Sequence, residues 1–294
     1  MSYSKIRWIF YTVLLVVSIW LNIEQYVIEL YMRYKISNEE IIIALSTTPY
    51  RINHIHKTLD TLFKQNAPVK KIYLSVPYKF KRDNLEYKIP QWLQDEKRVT
   101  ILRTQDYGPA TKLLGVLEQI NLNATAIIIT VDDDVDYPQN LVLQLAYKAK
   151  YNPGFVIALA GADPDRDTSG NIPQDSQAMD GIVRQSSSDA FAAIAQGFAG
   201  VAYRKQFFDD AIFEIISAPQ TCINSDDLYI SFYLAKRKIP RQVLNNKYIS
   251  YHDVDYGQVL GYQADALHNL SPKPIDKHRD CIAFMKKHNP QVAF

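Results

Sequence analysis

The chain has 294 residues, 47% of them hydrophobic and 22% charged, which is typical of an ordered globular protein. The formal net charge is only +2, so no broad electrostatic field favours nucleic acid, and an anionic ligand would need local binding groups. Two cysteines, Cys222 and Cys281, are too few for a zinc cluster. We expect two buried thiols, with one disulfide in an oxidising compartment as the alternative.

An uncharged apolar segment lies near the start of the chain. Residues 8–23 read WIFYTVLLVVSIWLNI; as a helix they span roughly 24 Å, somewhat short of a bilayer core of about 30 Å, and residues 26–32 can extend it. No small-x-small cleavage site follows, which argues against a cleaved signal peptide. We predict a single-pass or peripheral membrane anchor with a linker in residues 1–35 and one globular domain in residues 36–294, to which the motifs described below assign catalysis. A helix packed on that domain is the alternative.

The side of the membrane stays open at this stage. Lys5 and Arg7 precede the apolar segment, which favours a cytoplasmic N-terminus and a translocated catalytic domain. In a bacterium, an enzyme with a cytosolic substrate would be expected to keep this domain in the cytosol instead.

From residue 41 onward, strand and helix patterns alternate, which predicts an α/β fold with a largely parallel sheet and helices on both faces. Residues 161–189 interrupt this alternation with a polar, turn-rich stretch, which we expect to be a mobile lid over the site or, alternatively, a passive surface loop. Strands are predicted at 41–46, 71–76, 99–103, 126–131, 155–160 and 192–203, with short ones near 241–244 and 247–251. Helices are predicted before 65, at 108–119, from 138, and at 225–237.

Three aspartates follow directly on the buried strand 126–131, in the sequence TVDDDVDYP. Adjacent carboxylates repel one another unless a cation neutralises them. Side chains i and i+2 of an extended segment point the same way, so Asp132 and Asp134 can address one ion. Carboxylate oxygens suit Mn²⁺ or Mg²⁺, with substrate phosphates completing the shell. The alternative is an acidic helix N-terminus before Pro138.

This strand and its Asp-x-Asp pattern resemble the GT-A glycosyltransferases of the nucleotide-diphospho-sugar transferase superfamily, in a family 2-like form. The resemblance covers roughly residues 41–255 and rests on four further segments in the expected order. It implies a Rossmann-like, mostly parallel sheet. It also implies that Asp133 belongs to the residues that bind the donor.

Two segments resemble the parts that hold the nucleotide. IIIALSTTPYR, at 41–51, resembles the strand and loop that receive the base, and it assigns Thr47 and Arg51 to donor binding. DYGPATKL, at 106–113, resembles the nucleoside segment, where Asp106 would accept from ribose or uracil and Lys112 would approach the diphosphate. The alternatives are a surface arginine and an ordinary helix start.

Two later segments resemble the sugar side of such a site. QGFAGVAYR, at 196–204, resembles the glycine loop beside the donor sugar and assigns Gly197 and Gly200 to it, with a structural bulge as the alternative. NSDDLYI, at 224–230, resembles the acidic pair that carries the catalytic base, and Asp227 matches its second member after Asp226. The alternative is helix capping by Ser225 or Asp226.

A histidine about 25 residues beyond the acidic pair often completes the metal site in this superfamily. His252 has that spacing and follows a predicted strand, and imidazole is an acceptable ligand for Mn²⁺. His268 is the second choice. A structural histidine is the alternative for both.

These observations predict an enzyme that transfers a sugar from a nucleotide-diphosphate donor, with a UDP-sugar favoured, to a hydroxyl of a glycan, lipid or protein. Inversion is favoured and retention stays open. A metal-dependent nucleotidyl or phosphoryl transferase is the first alternative, but it predicts a glycine-rich phosphate loop with lysine near the first strand, which STTPYR is not. The second is a non-catalytic, membrane-tethered carbohydrate- or calcium-binding domain, which leaves the acidic pair unexplained.

Overall fold

The computed structural model describes residues 3–163, 190–244, 246, 248–249, 253–254 and 274–292. The predicted α/β class is confirmed. The strands are β1 Ile41–Ser46, β2 Lys71–Pro77, β3 Val99–Thr104, β4 Ile127–Thr130, β5 Val156–Ala162, β6 Ala190–Phe191, β7 Ile194–Arg204 and β8 Arg241–Val243. The helices are α1 Tyr3–Lys35, α2 His56–Phe63, α3 Gln91–Gln94, α4 Thr111–Gln119, α5 Leu141–Tyr151, α6 Gln220–Ile223, α7 Asp226–Lys236 and α8 Pro274–His288, with 3-10 turns at Lys205–Phe207 and Asp210–Ser217.

The strands form one mixed sheet in the order β3-β2-β1-β4-β7-β5-β8-β6. Strands β1 to β4 are parallel to one another, whereas β7 is antiparallel to both β4 and β5. The chain moves outward from β1 to β2 and β3, and then returns to place β4 on the other side of β1. A crevice forms at the carboxyl ends of strands where the order reverses in this way, and ligands of open α/β sheets bind there.

Helices cover both faces of the sheet, as predicted. Strands β1 and β4 are buried on both faces, which explains their continuous β-branched sequences. On one face, α2, α5 and the end of α1 form the larger hydrophobic cluster. On the other face, α4 and α7 pack on the alternate side chains of the same strands.

Helix α1 is continuous from the apolar segment into the domain. A span of it, Phe10–Lys35, is long and apolar enough to cross a membrane, and no residue of its apolar 18-residue window is buried. Its last turn joins the core, because Met32 and the following Ile36 are buried in the larger cluster. The predicted division of the chain at residue 35 stays a prediction. The end of α1 packs against the domain, so this part of the predicted anchor and linker is in contact with the core. The polar contacts of this end are Asn66 with Glu29, Gln144 with Met32, and Lys150 with the carbonyl of Lys35 and the carboxylate of Glu39.

The expectation of two free thiols is wrong, because Cys222 and Cys281 form a disulfide. The bond joins α6 to α8 and lies in a third hydrophobic cluster with residues of α7. The sequence separation is 59 residues, so the pairing depends on how α8 packs and could not be read from local pattern. The C-terminal residues, which the sequence marks only as polar, form this helix.

Two helices begin later than predicted. Gly108 has a φ of +64° and belongs to a turn, so α4 starts at Thr111 rather than at Gly108. Pro138 lies in a turn closed by a hydrogen bond from the Leu141 amide to its carbonyl, and α5 starts at Leu141. Both shifts leave irregular backbone at the carboxyl ends of β3 and β4, where the candidate site lies.

Candidate active site

A cleft of about 680 Å³ opens at the carboxyl ends of the parallel strands, a volume in the range of small-molecule sites. It brings together most of the residues that the sequence assigns to the site, from segments up to 180 positions apart. The predicted residues that line it are Thr47, Arg51, Asp106, Lys112, Asp132, Asp133, Asp134, Asp226 and Asp227.

Asp133 is the buried member of the three aspartates. The Thr47 hydroxyl donates to its Oδ2 at 2.5 Å and Arg51 Nη1 donates to its Oδ1 at 2.8 Å. Thr58, on α2, donates to its backbone carbonyl at 3.0 Å. The loop after β1 is thereby fixed to the loop after β4. Asp133 holds the site together, and its carboxylate is already occupied by protein donors.

Asp132 and Asp134 are more open to the cleft, with 30% and 34% of their side chains exposed. Arg51 Nη1 also contacts Asp134 at 2.9 Å, and Lys112 Nζ contacts Asp132 at 2.8 Å. Burial, together with the charges of Asp133 and Asp132, raises the pKa of Asp134 to about 7 despite Arg51. This site therefore accommodates additional positive charge.

Tyr137 fixes the backbone of the aspartate cluster. Its buried hydroxyl accepts a hydrogen bond from the Asp132 amide at 2.8 Å and donates one to the carbonyl of Phe198 at 2.8 Å. Burial, reinforced by the charge of Asp132, raises the pKa of Tyr137 well above its usual value, so the hydroxyl stays protonated. The loop after β4 is thus tied to β7 as well as to β1.

The acidic pair opens α7 on the other side of Lys112. Lys112 Nζ contacts Asp226 Oδ2 at 3.2 Å, so this one ammonium bridges Asp132 and Asp226. Burial alone would lower the pKa of Lys112, but the charges of Asp132, Asp226 and Asp227 hold it well above its usual value. The lysine is therefore charged and links the two acidic groups.

Asp227 is held by the backbone of β7. The Gly197 amide donates to its Oδ2 at 2.9 Å. Burial and the charge of Asp226 raise the pKa of Asp227 to about 8, against the opposing effect of Lys112. Ser225, the residue before the helix, makes no side-chain capping bond, so the capping alternative for Ser225 is not realised.

The two glycines of the predicted loop have different surroundings. A Cβ at Gly197 would lie 2.7 Å from Asp227 Oδ1 and 3.1 Å from Lys112 Nζ, so a larger residue here would displace the carboxylate or the ammonium. Gly200 has a φ of +100°, and a Cβ there would meet Leu141 and Leu145 of α5. Its surroundings indicate a packing role rather than contact with a donor.

Asp106 lies at the end of β3, and both of its oxygens are in use. Oδ2 accepts from the Lys81 amide at 2.7 Å and Oδ1 accepts from the Gly108 amide at 2.8 Å. The carboxylate joins the loops after β2 and β3 into one wall of the cleft. Its predicted contact with a ribose or base stays a prediction.

The residues that fit a metal are Asp132 and Asp134, whose oxygens reach the cleft. Five carboxylates, Asp132, Asp133, Asp134, Asp226 and Asp227, face two cations, Arg51 and Lys112, so the formal charge of the group is −3. Within the described ranges no three histidine, cysteine or acidic side chains are arranged as a complete metal site. Two protein carboxylates plus substrate phosphates are an ordinary arrangement for Mg²⁺. His252, His268 and residues 164–189 lie outside the described residues.

Several cleft residues were missed from the sequence. The aromatic side chains Phe80, Tyr87 and Phe198 and the cation Lys81 form part of its wall, and Tyr87 donates to the carbonyl of Thr47 at 2.9 Å. Ile215, Ile216 and Ile223 line the part beside the acidic pair. The position of Phe80, Lys81 and Tyr87 after β2 could have indicated their place in the cleft, because loops at the carboxyl ends of the strands border the site in this class of sheet.

No protein-family model matches the chain, and no match was found among curated protein sequences.

Proposed function

We propose that this protein is a metal-dependent glycosyltransferase of the GT-A type, which moves a sugar from a nucleotide-diphosphate donor, with a UDP-sugar favoured, to an acceptor hydroxyl. One observation carries the proposal. Asp227, a carboxylate with a raised pKa held by the Gly197 amide, shares a cleft with the exposed oxygens of Asp132 and Asp134. A proton acceptor beside a site for added positive charge is what this reaction needs.

Asp132 and Asp134 would hold Mn²⁺ or Mg²⁺ at the donor side of the cleft. When bound, the ion would neutralise the charge that develops on the leaving diphosphate. Arg51 and Lys112 would support the same charge, since both cations lie against the carboxylates that flank that position. Asp133, Thr47 and Tyr137 would keep the two loops in place.

Asp227 would act as the general base. It would accept the proton of the acceptor hydroxyl while the acceptor oxygen bonds to the anomeric carbon, and the bond from that carbon to the diphosphate would break with its electron pair leaving on the diphosphate. Attack from the face opposite the diphosphate gives inversion. A pKa of about 8 makes the carboxylate a stronger base than an exposed one. Asp226 would position it through Lys112.

The proposal extends to location. Helix α1 would anchor the domain in a membrane, and the disulfide would persist only in an oxidising compartment. Lys5 and Arg7, on the far side of the apolar segment, favour the same orientation, with the N-terminus in the cytoplasm and the domain across the membrane. Two independent features thus favour the translocated side.

The test is a screen of UDP- and GDP-sugars with Mn²⁺, which measures release of the nucleoside diphosphate with and without acceptor sugars. We expect turnover with one donor class, its loss in chelator, and its loss in Asp227→Asn with metal binding retained. The control is Asp210→Asn, an exposed aspartate outside the cleft. Release of the sugar 1-phosphate in place of the nucleoside diphosphate would indicate nucleotidyl transfer instead. Metal and sugar binding without any turnover would indicate a binding domain.

A further inference from the structure

The direction of α1 relative to the cleft has a consequence for the acceptor. Helix α5 runs from the carboxyl end of β4 to the start of β5, so it begins at the cleft side of the sheet and ends at the opposite side. Along α1, Met32 contacts Gln144 and Lys35 contacts Lys150. Helix α1 therefore runs in the same direction as α5, towards the side opposite the cleft.

The earlier turns of α1 consequently project past the cleft side of the sheet. Glu29 is bonded to Asn66, whose amide donates to the carbonyl of Gln139, next to the start of α5. The uncharged segment ends at Ile23, six residues before Glu29, which is about 9 Å of helix. The apolar part of α1 and the mouth of the cleft therefore lie at the same end of the domain.

The loops around the mouth suit a lipid surface. Tyr50 and Tyr78 are exposed at the carboxyl ends of β1 and β2, with 44% and 65% of their surface accessible. The exposed Lys79 and Lys81 lie beside Tyr78, and the Lys81 ammonium donates to the carbonyl of Asp106 at the cleft. Exposed aromatic rings combined with lysines are typical of the membrane interface, where rings occupy the headgroup level and lysines meet anionic lipid.

The cleft beside the acidic pair combines isoleucine side chains with two amide side chains, Gln220 and Asn224. Ile215, Ile216 and Ile223 line it beside Asp226 and Asp227, and Ile216 is 40% exposed. A free sugar gains little from isoleucine side chains, whereas the first methylenes of a lipid chain gain free energy from such contact.

We infer that the acceptor is a lipid-borne hydroxyl at the bilayer surface, held in the cleft beside the membrane that α1 enters. This inference rests on the proposed function and on α1 crossing the bilayer. Enzyme and acceptor on one surface meet at a high effective concentration, provided that the geometry allows both to engage. The cleft faces the surface at a height set by a continuous helix.

The orientation of the cleft towards the membrane can be tested without an activity assay. The full chain is reconstituted in phosphatidylcholine vesicles, and a fluorophore is attached at Tyr78→Cys or, as matched control on the opposite side of the sheet, at Lys97→Cys. We expect headgroup-attached spin labels to quench the probe at 78 more strongly than the probe at 97. Equal quenching, or stronger quenching at 97, would overturn the membrane-facing geometry whatever the enzyme's activity.

The acceptor class is tested with hexadecyl glycosides in the same vesicles and methyl glycosides in solution. We expect the apparent KM for the hexadecyl form to be lower by at least about tenfold. A seven-residue helix-forming polar insert between Ile23 and Glu24 raises the domain by about 10 Å. It should abolish this preference and leave the methyl glycoside unaffected, whereas the same insert before Lys5 should change neither.

The outcomes separate the two proposals. Equal use of both glycosides, or an unchanged preference after the insert, would overturn the lipid acceptor while leaving a glycosyltransferase. Transfer to a membrane-anchored glycopeptide but not to the hexadecyl glycosides would assign the acceptor to protein. Failure to turn over any UDP- or GDP-sugar, with or without acceptor, would overturn the proposed function itself.

Discussion

Two acidic groups face the same cleft, and their surroundings differ. The aspartates after β4 are on a loop fixed at three points, and two of them keep about a third of their side chains exposed. The pair at the start of α7 is more enclosed and meets one cation, Lys112, which it shares. Asp227 also accepts a hydrogen bond from the Gly197 amide.

The difference follows from how each group can relieve its charge. Exposed carboxylates on a rigid loop gain most from a cation that enters from the cleft. An enclosed carboxylate beside a second one gains most from a proton, which is why its pKa is raised to about 8. One group is suited to hold a metal and the other to take up a proton, and Lys112 connects them.

Replacement of the proton acceptor should have the largest effect. Asp227→Asn keeps the shape and the bond from Gly197 but cannot accept a proton, so we expect kcat to fall by about 10²–10⁴-fold. Mn²⁺ affinity, measured by calorimetry with the nucleoside diphosphate present, should not change. A comparable loss of metal affinity would show that the two acidic groups do not have separate roles.

Replacement of a carboxylate that we propose as a metal ligand should lower metal affinity first. In Asp134→Ala we expect Mn²⁺ affinity to fall by at least about tenfold, since even outer-shell groups cost that much. The fold should be retained, because removal of one of several neighbouring carboxylates relieves repulsion. Asp60→Ala, on the exposed face of α2, is the control. Full activity of the wild-type protein in excess chelator would contradict the metal role.

Loss of the disulfide should disturb the acidic pair at the start of α7 more than the aspartates after β4. Opening a loop of 59 residues removes about 4 kcal/mol of stability by the loop-entropy relation. Because Cys222 lies four residues before Asp226, we expect Cys222→Ser to lower kcat several-fold and to leave Mn²⁺ affinity unchanged. Denaturant unfolding and metal titration of the variant check the two parts. An equal loss of kcat and of Mn²⁺ affinity would contradict separate roles for the two acidic groups.

A pH series changes no residue and tests the proton on Asp227 directly. A carboxyl whose pKa is raised in the folded state binds its proton more tightly there than in the unfolded chain. Its contribution to stability is present at low pH and is lost as the pH rises from about 4, the unfolded value, through about 8. In chelator, the Tm should therefore decline across this range, and less so in Asp227→Asn. Parallel Tm curves would show that Asp227 does not titrate there.

The local sequence pattern was enough to predict the α/β class and the position of the three aspartates at the end of β4. Strand β4 is buried along its whole length. Capping the following helix would need one aspartate, so three in a row indicate a further role. The acidic pair was assigned through its resemblance to the pair in GT-A enzymes, and its predicted position at the start of a helix is confirmed. Each of these features lies within a few residues, where alternation and spacing are informative.

Contacts between distant segments could not be predicted. Lys112 bridges Asp132 and Asp226, and Tyr137 joins the β4 loop to Phe198 on β7. Such pairs depend on which strands become neighbours, and the antiparallel insertion of β7 between β4 and β5 was not apparent from the sequence. The disulfide was missed for the same reason, since α8 carries only a weak apolar pattern.

The disulfide also determines how the chain behaves when it is cut. Cys222 and Cys281 enclose α7, β8 and the residues that follow them. A protease that cleaves one peptide bond between the two cysteines leaves both fragments covalently joined, so the C-terminal helix stays attached to the rest of the domain. Such a nicked protein runs as one band on a non-reducing gel and as two bands after reduction, and it would pass as intact in any assay that omits a thiol.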